Sequence, residues 1–425
     1  MSRIKIGAVD LGSTKVSALL GEIDQSGLIH VRGIGIAEST GIRHGTVTEL
    51  QGATQSLVKA VELAEDMAGE SMPPMVVGIS GDHIQGVAGD GGISFTPDDP
   101  TVGHDIVLED VERALESAKA VQLPLDKSLL HAIPQDFQVD EHSMVPNPVG
   151  MVGFRLRVQA HLVLGAITSQ TSLRRVVDLA GKKLSGLVYT PLASSYAVLS
   201  KEEKELGCVL IDIGGGTCDT AFFINGAMCH SWVFRFAGES LTRDLAIVLK
   251  TSMQEAERLK LDWGVADPHL LRDKDEQLEV PDVNGAYVRH YFRSYVASIL
   301  HERLSEILQH VARQARAMGI HEQLAAGAVI TGGVAATPGL VQLAQRVLGM
   351  PVRVGHPTNF LGLKDLLARG EHAAGVGLLL HAASGHYSFD RAQYPAVGMY
   401  DNLDTTTHRK RRGFFKRLAT SLGVL

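Results

Sequence analysis

The stretch IKIGAVDLGSTKVSALLGEI, residues 4–23, has a counterpart in CVLIDIGGGTCDTAFFING, residues 208–226. Each begins with an apolar run that ends in an aspartate, Asp10 or Asp212, and continues through a Gly-rich turn into a second apolar run. This pattern predicts two β-hairpins. Their turns would expose backbone N–H groups in a concavity that suits phosphate oxygens, with no Cβ to hold a phosphate away. Each aspartate is placed to hold a hydrated Mg²⁺ beside the phosphates. Two copies therefore predict two similar lobes that hold one nucleotide between facing hairpins.

A third segment, AGAVITGGVAATPGLVQLAQRVLG, covers residues 326–349. It predicts a strand, then the pair Gly332-Gly333, then a helix with Thr337 as its N-cap and Gly349 as its end. The paired glycines would let a flat adenine ring lie against the backbone.

A fourth segment, SMQEAERLK, is helical in pattern and carries Glu257 and Lys260 three positions apart on one face. An ordinary surface ion pair would use the same spacing.

In this order, the four segments resemble the actin-like ATPase superfamily, which includes sugar kinases, Hsp70-type chaperones and bacterial actins. The resemblance implies an α/β, duplicated two-lobe fold with a subdomain inserted in each lobe, and ATP with Mg²⁺ as its ligand. Gly238, in FAGESLTRDL, matches the position where the superfamily brings a loop up to the phosphates. The implied nucleotide-binding residues are Asp10, Gly12, Ser13, Thr14, Lys15, Asp212, Gly214, Gly215, Gly216, Thr217, Gly238, Glu257, Lys260, Gly332 and Gly333, with Asp10 and Asp212 holding Mg²⁺ through water.

Two further blocks narrow the resemblance. LLHAIPQDFQVD, residues 129–140, and NPVGMVGFRLRVQAHLV, residues 147–163, are similar to the FtsA family of bacterial division proteins. Membership would imply ATP binding, head-to-tail filaments and attachment at the cytoplasmic face of the inner membrane at the division site. It would also imply capture of the C-terminal tail of the tubulin-like FtsZ and recruitment of later division proteins. The tail would bind the second lobe near its small insertion, where HERLSEIL supplies Arg303 and Glu306 on one helix face. A local ion pair is the alternative for these two side chains.

The residue before Pro191 bears on hydrolysis. Superfamily members that hydrolyse ATP usually carry an acid before a proline ahead of the second phosphate loop, but this chain has Thr190 there. A hydroxyl is a poor general base. We therefore expect the nucleotide to act mainly as an assembly ligand, with slow ATPase activity at most, in a protein that is not primarily an enzyme.

The same patterns predict how the chain is divided. The C-terminal boundary rests on the fading of hydrophobic periodicity after about residue 383. The predicted parts are residues 1–82 and 163–206 (first lobe), 83–162 (FtsA-type insertion), 207–234 and 305–383 (second lobe), 235–304 (its small insertion), 384–408 (a tether) and 409–425 (an amphipathic helix).

The terminal segment RKRRGFFKRLATSLGVL, residues 409–425, is basic although the whole chain carries a formal charge of −7. On a helix its Phe and Leu residues form one apolar stripe, with Thr420 on the opposite side. A stripe beside a cationic cluster describes a helix lying in the headgroup plane of anionic lipids. The alternatives are docking on the protein body and nucleic acid, which the acidic remainder of the chain disfavours as a partner. The predicted membrane contacts are Arg409, Lys410, Arg411, Arg412, Phe414, Phe415, Lys416, Arg417, Leu418, Leu422 and Leu425.

Composition excludes several other classes. No run of 18 apolar residues predicts a spanning helix, and the first residues do not resemble a signal peptide. The three cysteines and 18 histidines show no metal-ligand spacing. A small-metabolite kinase and a pilus-assembly platform protein of the same fold remain as alternatives. A kinase would need a carboxylate base facing the cleft, and neither class has a use for an amphipathic tip.

Overall fold

The computed structural model describes residues 4–24, 26–96, 102–273 and 276–384. The first predicted hairpin is confirmed, because two antiparallel strands place Asp10 opposite Ser17. The elements up to residue 79 are β1 (Ile4–Leu11), β2 (Lys15–Ile23), β3 (Ile29–Glu38), β4 (Ile42–Arg43), β5 (Thr46–Val47), α1 (Leu50–Ala68) and β6 (Met75–Ile79).

An insertion follows β6 and forms its own sheet, in the order β10-β9-β12-β7, with α2 covering one face. Glycine is needed in β7 where this helix approaches, since a Cβ at Gly91 would lie 2.2 Å from the Ala118 nitrogen. Its elements are β7 (Gln85–Ser94), β8 (His104–Asp105), α2 (Leu108–Ala118), β9 (Lys127–Val139), β10 (His142–Val145), β11 (Val152–Gly153) and β12 (Arg155–Ala166).

The chain then returns to the first sheet and crosses to the second. The connecting elements are α3 (Ile167–Leu179), β13 (Leu184–Tyr189), α4 (Thr190–Val198) and α5 (Lys201–Leu206). The second predicted hairpin is also confirmed, and it places Asp212 opposite Asp219. The remaining elements are β14 (Cys208–Ile213), β15 (Cys218–Ile224), β16 (Ala227–Phe234), α6 (Gly238–Leu249), α7 (Met253–Trp263), β17 (Gln277–Pro281), β18 (Val288–Phe292), α8 (Arg293–Ala317), β19 (Gly327–Thr331), α9 (Leu340–Leu348), β20 (Val352–Val354), β21 (Phe360–Leu361), α10 (Lys364–Leu367) and α11 (Ala373–Ser384).

The two main sheets repeat one topology. The first lobe has the strand order β13-β6-β1-β2-β3-β21, and the second lobe has β16-β15-β14-β19-β20. In each, an antiparallel three-stranded meander carries two further parallel strands beside its first strand. The insertions enter at different points, after the fourth strand of the first lobe and after the third strand of the second. The predicted α/β, duplicated two-lobe architecture is therefore confirmed.

The helices α4 and α11 lie in a hydrophobic core shared by both lobes. This core joins Leu19 and Val188 of the first sheet to Leu210 and Val329 of the second, with Leu379 of α11 among them. Burial of apolar surface here, at about 25 cal/mol per Å², holds the two sheets to a common pair of helices.

Two details differ from the expected boundaries. The helix after Gly332-Gly333 begins at Leu340 rather than at Pro338, because residues Gly333–Ala336 first form a 3-10 turn that ends at Thr337. Gly339, with φ 81°, then redirects the chain. Helix α8 runs without a break through the predicted boundary between residues 304 and 305.

The predicted amphipathic helix, residues 409–425, and the predicted tether beyond Ser384 lie outside the described residues. None of the helices within the described ranges combines the length and the apolar content that a membrane span requires.

Candidate functional site

The turns of the two hairpins have the same local geometry. In the first, the Gly12 N–H donates to the Lys15 carbonyl at 3.1 Å, and in the second the Gly214 N–H donates to the Thr217 carbonyl at 3.0 Å. Each hydrogen bond closes a four-residue turn directly after the strand that bears Asp10 or Asp212. The duplicated sequence therefore produces a duplicated loop conformation.

The two turns face each other in close contact. A Cβ added at Gly215 would lie 2.3 Å from Thr14 Cγ2, and one at Gly216 would lie 2.3 Å from Ser13 Oγ. Between and beside them is a cavity of about 160 Å³. The predicted residues that line it are Asp10, Gly12, Ser13, Thr14, Lys15, Asp212, Gly214, Gly215, Gly216, Thr217, Gly332 and Gly333.

Several hydrogen bonds cross from one lobe to the other at the cavity. The His44 Nδ1–H donates to the Gly216 carbonyl at 2.8 Å, from a hairpin tip in the first lobe whose next residue donates its N–H to Ser13 Oγ. The Ser80 hydroxyl, just beyond β6, donates to the Asp219 carboxylate. Ser194 of α4 donates to Asp212 at 2.9 Å.

Four carboxyl groups line this cavity, and the three aspartates among them have raised pKa values. Burial raises the pKa of Asp10 to about 6, against the opposing effect of Lys15. Burial and the adjacent Asp219 raise the pKa of Asp212 to about 7, and burial raises that of Asp219 to about 6. Desolvation therefore makes their ionised forms costly, and a cation in the cavity would relieve that cost.

The lysine of the first loop already has a partner. Lys15 Nζ lies 3.2 Å from Glu371, whose pKa stays below its ordinary value despite partial burial, because of this ion pair and neighbouring positive charges. Among the described residues, no group of three His, Cys, Asp or Glu side chains is arranged to hold a metal ion by itself. Mg²⁺ ligation through water at Asp10 and Asp212 stays a prediction.

The paired glycines differ in their surroundings, since Gly332 is tightly packed and Gly333 faces open space. Gly332 has φ 86°, and a Cβ on it would lie 2.6 Å from an Asp212 carboxylate oxygen. A Cβ on Gly333 would meet nothing within 4 Å, although Gly333 lines the cavity. The chain thus presents bare backbone to the open space at this position.

Glu257, Lys260 and Gly238 form a neighbouring cluster outside the cavity lining. Lys260 Nζ contacts Glu257 at 2.7 Å, Thr242 Oγ1 at 2.9 Å and the Gly238 carbonyl at 3.3 Å. The Gly238 N–H in turn donates to the Gly214 carbonyl at 3.0 Å. The pair is therefore connected to the back of the second loop, and direct contact with a nucleotide stays a prediction.

Arg303 and Glu306 lie on α8, away from the cavity. Arg303 contacts Glu306 at 2.6 Å and also donates two hydrogen bonds to Asp244 of α6, at 2.6 and 3.0 Å. Its guanidinium therefore links two helices of the second lobe. The partner-binding role inferred from the resemblance stays a prediction, and this structural role must be separated from it.

Among the other residues that line or border the cavity are the polar residues Thr190, Asp219, His44, Ser80 and Glu371, which are not in the predicted site. Thr190 lines the cavity at the position where hydrolysing members of the superfamily usually carry an acid. Asp219 could have been found, because equal strand pairing in the second hairpin places it opposite Asp212. His44, Ser80 and Glu371 come from separate parts of the chain and carry no local sequence signal.

Comparison with solved structures gives the class of protein. A chain of the PilM-PilN type IV pilus biogenesis complex matches with a TM-score of 0.63 and 15% identity, covering 90% of this chain and 99% of that chain. MreB5 of Spiroplasma citri bound to AMPPNP matches with a TM-score of 0.54 and 12% identity, covering 91% and 98%. The fold is therefore that of the actin-like proteins.

Sequence comparison identifies the family. Residues 209–377 match the family described as Cell division protein FtsA, and residues 81–164 match the SHS2 domain inserted in FtsA. FtsA of Pseudomonas aeruginosa is 35% identical over 376 residues, 88% of either chain. FtsA of Neisseria meningitidis is 36% identical over 379 residues, covering 89% of this chain and 90% of that protein. The chain belongs to the FtsA family of cell division proteins.

The raised carboxyl pKa values predict how stability responds to pH without ligand. Asp212 is protonated in the folded protein at a pH where it is ionised in the unfolded chain, so its contribution to the free energy of unfolding is lost as the pH rises towards its folded pKa. Asp212→Asn should therefore stabilise the metal-free protein, by an amount that grows by on the order of 1 kcal/mol per pH unit between about pH 5 and pH 7. Urea unfolding of both proteins across this range measures the difference.

The control is Asp90→Asn, at an exposed position of β7. It should show no comparable growth with pH. A constant difference between Asp212→Asn and the wild type would contradict the assignment of a buried, charge-disfavouring site.

Proposed function

We propose that this FtsA-family protein binds Mg·ATP between its two lobes and links a cytoskeletal polymer to the membrane. The observation that carries the nucleotide part is the pair of facing Gly-rich turns with matching closing hydrogen bonds. Exposed loop backbone of this kind suits phosphate oxygens. Family membership supports the division role, and the nucleotide-bound MreB5 of the same fold supports the choice of ligand.

The residues present fit Mg·ATP. The first loop, Asp10–Lys15, and the second, Asp212–Thr217, would hold the phosphates. The carboxylates of half-buried Asp10 and buried Asp212 would hold hydrated Mg²⁺, whose charge would offset their desolvation. The bare backbone at Gly333 would lie against the adenine ring. The nucleotide supplies charge and bulk between the lobes, which would favour their closed arrangement and assembly into filaments.

The nucleotide part is tested at Gly333. Gly333→Val should weaken ATP binding at least about tenfold, because the branched side chain would fill open cavity space without meeting protein atoms. The thermal midpoint should change little. Calorimetry with Mg·ATP measures the affinity.

Ala336→Val is the matched control, because Ala336 lies on the same 3-10 turn but is exposed and outside the cavity lining. It should bind ATP like the wild type. Wild-type affinity in Gly333→Val would place the base elsewhere.

The membrane part of the proposal rests on residues 409–425. Two Phe and three Leu on one face, at roughly 1.5–3 kcal/mol for each fully buried side chain, would provide several kcal/mol before the cost of ordering the helix. The six Lys and Arg residues beside them would add attraction to anionic lipid. Filaments would present many tips at once, which strengthens attachment without new contacts.

Phe415→Glu should release the full-length protein from vesicles containing anionic lipid, because it places a charge within the apolar stripe. Thr420→Glu adds the same charge to the polar side and should retain most of the binding. Replacing Arg409, Lys410, Arg411 and Arg412 with Ser should weaken flotation mainly on anionic vesicles and mainly at low salt. Equal loss in Phe415→Glu and Thr420→Glu would contradict an in-plane helix and indicate a general charge effect.

The partner part of the proposal is capture of the FtsZ tail on the second lobe at Arg303 and Glu306. A family-derived role and the observed link to Asp244 predict different mutant patterns. Arg303→Gln and Asp244→Asn both break the link between α6 and α8, so both should lower the thermal midpoint by similar amounts. Only Arg303→Gln removes a cation that an acidic peptide could use.

Peptide affinity should therefore fall in Arg303→Gln and stay near the wild-type value in Asp244→Asn, as measured by fluorescence anisotropy with an FtsZ tail peptide. Equal loss in both variants would assign Arg303 a purely structural role.

A further inference from the structure

Asp219 is an acidic residue in the cavity that is not among the residues proposed to hold the nucleotide. It lies two residues after the second loop and lines the same cavity as Asp10 and Asp212. It is only 4% exposed, and strand pairing places it directly opposite Asp212. The equivalent position in the first hairpin is Ser17, so this acid belongs to one side of the cavity only.

The Asp219 carboxylate is oriented by neutral groups from both lobes. Thr217 Oγ1, in the second loop, donates to one oxygen at 2.8 Å. The Ser80 hydroxyl, which follows β6 of the first lobe, donates to the other. Neither donor cancels the negative charge, in contrast to Glu371 with Lys15. Each carboxylate oxygen keeps a lone pair that can accept a further hydrogen bond.

Thr190 is also at this cavity, where it occupies the place expected for a catalytic acid. Its hydroxyl can hydrogen-bond a water molecule but is a poor acceptor for that water's proton at neutral pH. Asp219, on the second hairpin, is thus a cavity-lining carboxylate that can accept a proton from water, whereas Thr190, before Pro191, is not.

We propose that Asp219 orients the water that attacks the terminal phosphate of bound ATP and accepts its proton. The inference rests on the nucleotide binding proposed above. The water oxygen forms a bond to the terminal phosphorus, and the bond from that phosphorus to the bridging oxygen breaks. The proton passes from water to the Asp219 carboxylate and then to the released phosphate, giving ADP and inorganic phosphate. Ser80 is a positioning residue, because its hydrogen bond fixes the carboxylate only when the two lobes are close.

In a purely structural role, Asp219 would only hold the two lobes together through its hydrogen bonds. The isosteric Asp219→Asn separates this role from the catalytic one. The amide oxygen can still accept the Ser80 hydrogen bond, but an amide accepts no proton from water. Full-length protein should bind Mg·ATP within about threefold of the wild-type affinity by calorimetry. Single-turnover conversion of ATP to ADP should fall at least about tenfold.

A second readout does not depend on turnover. ADP with aluminium fluoride imitates the transferring phosphate with its attacking water, so the wild type should bind it more tightly than ADP alone. Asp219→Asn should lose most of that preference. Ser80→Ala, which keeps the acid but removes its cross-lobe donor, should reduce both turnover and the preference by a smaller factor.

Unchanged turnover and an unchanged aluminium fluoride preference in Asp219→Asn would overturn the assignment. A wild type that binds Mg·ATP but converts none of it in a single turnover would overturn it as well. Absence of ATP binding by the wild type is a different result, since it would remove the proposed nucleotide function itself.

Discussion

The close approach of the two Gly-rich turns is the constraint on which the site depends. With less than van der Waals distance available for a Cβ at Gly215 or Gly216, the second loop can meet Thr14 and Ser13 only as bare backbone. Any larger residue would clash with Thr14 or Ser13, so those side chains or the loop would have to shift. The shared core of α4 and α11 fixes the sheets behind the loops, so the cavity is formed by elements that are held from both sides.

Placing two loops this close also concentrates charge. The second hairpin buries Asp212 and Asp219, and the first brings the half-buried Asp10 to the same cavity. The cationic side chain of the first loop is paired with Glu371 and so offsets this charge only partly. The ligand-free cavity is therefore electrostatically unfavourable at neutral pH, and a divalent cation would improve it. The ligand-free protein is therefore less stable at the position where a bound cation would stabilise it.

The sequence was sufficient for features encoded by short, contiguous patterns. Both hairpins, their aspartates and the paired glycines could be predicted, because continuous apolar runs and Gly-rich turns are local properties. Glu371, Ser80 and His44 could not, since only the fold brings them to the loops. The predicted start of α9 was wrong, because a threonine such as Thr337 is equally suited to end a 3-10 turn. For Arg303, the sequence pattern correctly predicted the local ion pair with Glu306. It could not show that Arg303 also binds Asp244, on a helix distant in sequence.

The insertion is bonded to both lobes although the chain enters and leaves it through the first. The backbone N–H of Tyr189 in β13 donates to His131 of β9 at 2.9 Å, which ties it to the first sheet. Gln135, also on β9, donates to the carbonyl oxygens of residues 228 and 229 in β16, and His161 contacts Ser231 of the same strand at 2.9 Å. The insertion is thus hydrogen-bonded to a strand of each main sheet. The insertion therefore contributes, with the shared core of α4 and α11, to fixing the position of one lobe against the other.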